Sequence, residues 1–320
     1  MRRLFATACF LLLATPAFAH GTASDIDSVD ELWSTDPWLL VPLYGAAIVF
    51  LIGTWRLWRR AGSGRGIRYW QAASFWTAWA VVAFALVSPL HWLSEQMLTA
   101  HMIEHELLMV AAAPLFVLSR PLTAFLWSLP IEARRCLGTL AAAPSLDRFW
   151  FALTSVSLAT TIHVATVFAW HTPSLFEAAI SNSFLHKLQH VTFLVTALMF
   201  WWAILTLPKR QFGVGAVHLF AMMMAMSLLG ALLTLTLRPW YPSYSTPPFG
   251  FTPLQDQQLA GLIMWIPGCS IYAVAALILF GVWIASSGRE IAKIRVSVSR
   301  NSTRLQGLEL MPTDSDGFSA

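Results

Sequence analysis

The chain has 320 residues, of which 57% are hydrophobic and only 11% charged, and its mean hydropathy is +0.62. Soluble domains carry about 25% charged residues, so a soluble enzyme, a nucleic-acid binder and a disordered scaffold are excluded for want of polar cover. The net charge of +4 says little by itself, because the position of each cation matters more than the sum. With 16 Trp and 21 Phe there is material for two aromatic belts at the edges of a bilayer, and the chain reads as an integral membrane protein.

The first residues are a targeting segment. Arg2 and Arg3 form a positive start, Leu4 to Thr15 an apolar stretch, and Ala17-Phe18-Ala19 a small-x-small cleavage site. That pattern is a secretory signal peptide over 1–19, and cleavage makes His20 the first residue of the mature chain. Cys9 is lost with it, and Cys136 and Cys269 form neither a CxxC pair nor a disulfide framework. An acidic outer leader follows over 20–37. Seven stretches of about 20 apolar residues, each long enough to span a bilayer, then run over 38–57, 70–90, 97–119, 149–170, 184–207, 214–238 and 257–284. The expected fold is therefore all-α, a polytopic seven-helix membrane bundle over 38–285, with a disordered tail over 286–320. No internal repeat of the transporter kind is present.

Charge orients the bundle. Arg56, Arg59, Arg60, Arg65 and Arg68, then Arg120, Arg134, Arg135 and Arg148, then Lys209 and Arg210, and five cations of the tail all fall on alternate loops of one side. The other side has Lys187 and Arg238, with Asp25, Asp27, Asp30, Glu31 and Asp36 in the leader. The positive-inside rule agrees with the signal peptide: N-terminus outside, C-terminus cytoplasmic.

The nine histidines are sorted by that topology. His20, His91, His101, His105, His163, His171, His186 and His190 lie in the outer half or outer loops, and only His218 is near the inner face. With a rise of about 1.5 Å per residue, His105, His163 and His190 lie roughly 9–12 Å below the outer ends of their helices. His101 and His186 sit one turn above His105 and His190, on the same helix faces. Met264 falls near the lower layer and Asp256 at the upper rim. Any one of these is explained as a histidine hydrogen-bonded between helices, the reading preferred for His218. Three helices presenting imidazoles at one level point instead to a metal or cofactor.

Imidazole suits zinc, copper, iron and nickel, while thioethers favour Cu(I). An outer site without cysteine and with Met97, Met102 and Met264 nearby is best read as copper. Haem b with two axial imidazoles is the rival. His101-Met-Ile-Glu-His105 also has the order of an inverted zinc-hydrolase motif, a short match. Glu104 and Glu106 are read either as rim carboxylates, neutral or paired with Lys187 or Arg238, or, for Glu104, as an acceptor behind an imidazole N–H. Met222, Met223, Met224 and Met226 spread around their helix and read as packing.

At these residues the chain resembles a known family. His101-Met-Ile-Glu-His105-Glu-Leu-Leu-Met with the following Ala-Ala-Ala-Pro114 and Arg120-Pro121, then Leu185-His186-Lys-Leu-Gln-His190 with Phe200-Trp201-Trp202, then Asp256-Gln257-Gln258 through Met264-Trp265-Ile-Pro267-Gly268, are similar in order and content to blocks of the CtaG family of multi-span cytochrome c oxidase assembly factors. This is not the single-span copper chaperone that shares the label. The resemblance covers about 40–285. It implies a non-enzymatic helper that handles copper for a haem–copper oxidase, with oxidase subunits and periplasmic copper donor proteins as partners, membrane lipid around it and no nucleic acid. A copper transporter is the other function that it leaves open.

Overall fold

The computed structural model describes residues 32–288 apart from residue 142. The signal peptide, His20, most of the leader and the tail from 289 lie outside the described residues, and so do the expectations attached to them. Within them the chain is helical and has no strand. In chain order the helices are α1 (Pro37–Ala61), α2 (Tyr69–Val87), α3 (Pro89–Gln96), α4 (Leu98–Ser119), α5 (Pro121–Ser128), α6 (Ile131–Ala141), α7 (Pro144–Leu153), α8 (Val156–Trp170), α9 (Pro173–Ser181), α10 (Ser183–Leu205), α11 (Phe212–Leu235) and α12 (Pro253–Gly288).

Six of these are long and apolar enough to cross a membrane, and α7 with α8 makes a seventh if the bent pair is one span. The sequence leads one to expect one spanning stretch over 149–170, and there the structure has two helices that meet at 61°. The cause is local. Thr154 Oγ1 donates to the Trp150 carbonyl at 2.7 Å and Ser155 adopts an extended conformation. Hydroxyl residues that bond their own backbone compete with the helical ladder.

The most enclosed spans are α4 and α10, each with 61% of its apolar window buried, against 28% for α1. These two carry His101, His105, His186 and His190. α4 packs on α2, α3, α10 and α12, while α8 packs on α10 and α11. Leu51, Phe84, Leu228 and Ile278 are exposed on the outside of the bundle, an apolar surface of the kind a bilayer covers.

Backbone irregularities in α4 are met by neighbours. Its residues Leu107–Ala112 form a π-helical segment just before Pro114, which has no N–H to give. The Met109 carbonyl freed there accepts instead from the Trp201 indole at 3.0 Å. The N-terminus of α4 has no cap of its own. Asp256 of α12 supplies one: its two carboxylate oxygens accept from the backbone N–H groups of Leu98 (2.7 Å) and Thr99 (3.0 Å), and Oδ1 also takes the Thr99 hydroxyl at 2.6 Å. A carboxylate at a helix N-terminus both fills orphan donors and faces the positive end of the dipole. At the start of α1, Asp36 accepts from Trp38 N and pairs with Lys187 of α10 at 2.6 Å.

The other end of α1 carries the basic side. Arg56, Arg59, Arg60 and Arg134 with Trp55 and Trp127 line a groove of about 310 Å³, with Arg59 over Trp55 and Arg134 over Trp127. Cation–π contact and a basic rim suit an interface with water and lipid headgroups.

α11 and α12 cross at two glycines. A Cβ added to Gly261 would lie 2.7 Å from the Gly230 carbonyl oxygen, and one added to Gly230 would lie 2.9 Å from that of Gly261. Small residues at such crossings let helix backbones approach. Gly261→Val should cost about 1–3 kcal/mol through overpacking, read as a lower thermal midpoint in detergent. An unchanged midpoint would show that the crossing is loose.

Candidate metal centre

Six imidazoles converge at the end of the bundle remote from the arginine groove. They come from α3 (His91), α4 (His101 and His105), the residue after α8 (His171) and α10 (His186 and His190). Ring centres are 4.2 Å apart for His101–His105, 4.6 Å for His186–His190, 5.2 Å for His105–His190 and 5.4 Å for His101–His186. His91 stands 5.9 Å from His186, and His171 stands 6.1 Å from His105. The i,i+4 spacing on both α4 and α10 creates this convergence, because it stacks each pair on one face and the two helices pack together.

Within the cluster, His101, His186 and His190 offer one nitrogen each, all within 4.8 Å of one another. Hydrogen bonds behind the rings set the tautomers. Tyr244 donates its hydroxyl to the Ser94 carbonyl at 2.9 Å, so its oxygen accepts from His101 Nδ1 at 3.2 Å. The lone pair of His101 is thereby on Nε2, which is buried with no hydrogen-bond partner. His190 Nε2 is likewise unpartnered, with Glu104 Oε2 3.6 Å away, and both ring nitrogens of His105 have none. Neutral rings held by a second polar group, lone pairs inward, are how metal-binding histidines are oriented. A metal with bonds of about 2 Å would draw the three rings closer.

Glu104 is buried and bonds His91 Nδ1 at 2.7 Å. It does not pair with Lys187, whose partner is Asp36. Of its two readings, the structure has the one in which it stands behind an imidazole, and that imidazole is His91. Burial pushes the His91 pKa down, and the hydrogen bond and charge of Glu104 lift it above its usual value. His171 has no such carboxylate, and burial takes it down to about 4. Its Nδ1 donates to the Val167 carbonyl at 2.7 Å, and Nε2 faces Met102 Sδ at 3.4 Å. Phe176 and Phe193 close the apolar side, with ring centres 5.1 Å from His101 and 4.6 Å from His105.

The remaining candidates lie elsewhere. His163 sits at the expected depth but turns to Thr196, its Nδ1 2.9 Å from Oγ1, and stacks on Phe200. Met264 is buried in the core around a second π-helical segment, Met264–Gly268. Asp256 spends both oxygens on the α4 cap. Glu106 faces α12, where a Cβ on Gly268 would collide with its carboxylate. His218 bonds Thr160 at 3.2 Å, and the methionines of α11 divide between core (Met222, Met226) and surface (Met224).

Sequence reasoning placed His91 and His171 at the outer rim without assigning them to the site, and it missed Tyr244. The signal for the first two was their level. Nothing in the stretch Tyr241-Pro-Ser-Tyr244 announces that its last hydroxyl reaches His101.

A family model described as cytochrome c oxidase caa3 assembly factor (Caa3_CtaG) matches residues 48–286, a span that holds all six imidazoles. No curated protein and no solved structure matches the chain.

Asp256 offers a test of cap against ligand. An amide has one acceptor oxygen, so Asp256→Asn leaves a backbone N–H of Leu98 or Thr99 facing another donor. The expected outcome is a loss of about 1–3 kcal/mol, seen as a lower melting temperature, while bound metal per folded chain stays at the wild-type level.

Proposed function

The chain belongs to the cytochrome c oxidase caa3 assembly factor family, and on that premise we propose that it receives copper at the outer face of the bacterial cytoplasmic membrane and passes it to the oxidase, as a carrier and not as an enzyme. The observation that carries the reading is the set of His101, His186 and His190, two buried and one half-buried, whose nitrogens lie within 4.8 Å of one another on the two most enclosed spans. Copper is the cargo, and the histidines are the hands that hold it. Their task is to strip its water, exclude bulk solvent with Phe176, Phe193 and Tyr244, and release it when a partner offers better ligands.

The packing favours copper over haem. A flat macrocycle between two axial imidazoles needs a slot, and here the rings pack on one another and on Phe176 and Phe193. A hydrolase needs a free carboxylate base beside an open cleft, but Glu104 is buried against His91. A transporter needs a polar path to the other face; below the cluster α11 supplies mainly methionine and apolar side chains.

The same reading places the histidines outside. The arginine groove is at the far end of α1 from Asp36 and Lys187, and the positive-inside rule puts that groove in the cytoplasm. Ser174 and Ser63 are both exposed, at opposite ends. A cysteine at Ser174 should react with an impermeant thiol reagent in intact cells and one at Ser63 should not. The reverse pattern would put the imidazoles in the cytoplasm and end the proposal.

The function is tested in cells lacking the protein and grown under copper limitation. Their cytochrome c oxidase should be short of copper with unchanged transcript levels, and the wild-type gene should restore it. His190→Ala should fail to restore it and, once purified, should have lost the copper held by the three-histidine set, while His163→Ala should restore it. A fully metallated oxidase in the deletion strain would overturn the role.

A further inference from the structure

We propose that the centre holds two copper ions, the second as Cu(I) in a softer position made by Met102, His105 and His171 beside the three-histidine position. The inference rests on the copper reading above and adds a position, an oxidation state and a ligand set to it.

The starting point is a contact that lacks a hydrogen. His171 Nδ1 faces the Val167 carbonyl at 2.7 Å, and a carbonyl can only accept, so the proton of the neutral ring is on Nδ1. Nε2 then presents a lone pair. It faces Met102 Sδ at 3.4 Å, and a thioether has no hydrogen to offer. Both groups are buried, Met102 at 0% and His171 at 2% exposure. Two electron-pair donors removed from water and aimed at each other lose solvation and gain no bond.

A cation between them removes the conflict. Ligands of one ion with metal–nitrogen bonds of about 2.0 Å and metal–sulfur bonds of about 2.3 Å stand about 3.5 Å apart at a tetrahedral angle, close to the spacing found here. The third ligand is at hand. His105 lies three residues after Met102 on the same face of α4, is 1% exposed, and has no hydrogen bond at either nitrogen. Its ring centre is 6.1 Å from that of His171 and 4.2 Å from that of His101, so it stands between the two groups of ligands. A thioether with two imidazoles favours Cu(I) over harder divalent ions. The wall is apolar as well: Phe193 lies 4.6 Å from His105 and 6.0 Å from His171, a setting that penalises a second positive charge.

The experiment uses the full-length protein in detergent. It is titrated with Ag(I), a redox-inert stand-in for Cu(I), and with Cu(I) under reductant; bound metal per chain and the X-ray absorption of the copper form are measured. Two ions per chain are expected, with one sulfur scatterer at about 2.3 Å. Met102→Leu, a near-isosteric change, should hold one ion and lose the sulfur signal, and His190→Ala should keep the sulfur-bound ion. The sulfur signal of the wild type tests the assignment even if a variant fails to fold. One ion per chain, no sulfur scatterer, or a Met102→Leu protein that keeps both ions would each overturn the second position. A single nitrogen-bound ion would leave the carrier function intact, and no bound metal at all would overturn both.

Discussion

Inside a bilayer no water is available to satisfy a polar group, so every donor and acceptor must find its partner in protein. The third span carries this constraint in its hardest form. Within α4 stand His101, Glu104, His105 and Glu106, and its backbone is interrupted by a π-helical segment before Pro114. The helix survives because its neighbours answer it: Trp201 for the Met109 carbonyl, Asp256 for the N-terminal amides, His91 for Glu104 and Tyr244 for His101. The arrangement of the other spans around α4 follows from those obligations. What they leave without a hydrogen bond are Nε2 of His101, both nitrogens of His105, Glu104 Oε2 and both oxygens of Glu106.

Buried polar atoms without a hydrogen bond also occur at Gln189, Tyr272 and His163, and what sets the cluster apart is the convergence of its ring nitrogens. A histidine that stitches helices together engages one nitrogen, as His163 does with Thr196, or both, as His218 does with Ser157 and Thr160. Thr160 with His218 shows that ordinary solution in this same chain. In the cluster, Nδ1 of His101 and of His171 is tied to an oxygen, while Nε2 of His101 has no hydrogen bond and Nε2 of His171 meets the Met102 thioether.

Much of the fold was legible because apolar length is a strong signal. All six long helices lie within a few residues of the stretches read from the sequence, from Pro37–Ala61 to Pro253–Gly288. The bend between α7 and α8 was not legible, since Thr154 and Ser155 are common enough inside straight helices. The site was legible in depth but not in azimuth. Counting residues puts His105, His163 and His190 on one level, and two of the three meet. His163 turns away because α8 packs on α10 and α11 and directs that face to Thr196. Which helices are neighbours is a tertiary fact, and periodicity along one helix does not contain it. The same reason hid Tyr244 and the cap made by Asp256, both of which cross more than 140 positions of sequence.

The cap has a consequence for how the protein is born. The chain enters the membrane from its N-terminus, and α4 is in place long before the ribosome reaches residue 256. Until α12 arrives, the amides of Leu98 and Thr99 have no acceptor from Asp256, and the first turn of α4, which carries His101, is free to fray. Tyr244, which orients the His101 ring, is also made late. The imidazoles of α4 and α10 are thus inserted early as separate groups and become a centre only when synthesis of the last span is complete. A half-made chain therefore presents the His101 ring without its tyrosine hydroxyl and the α4 amides without their carboxylate.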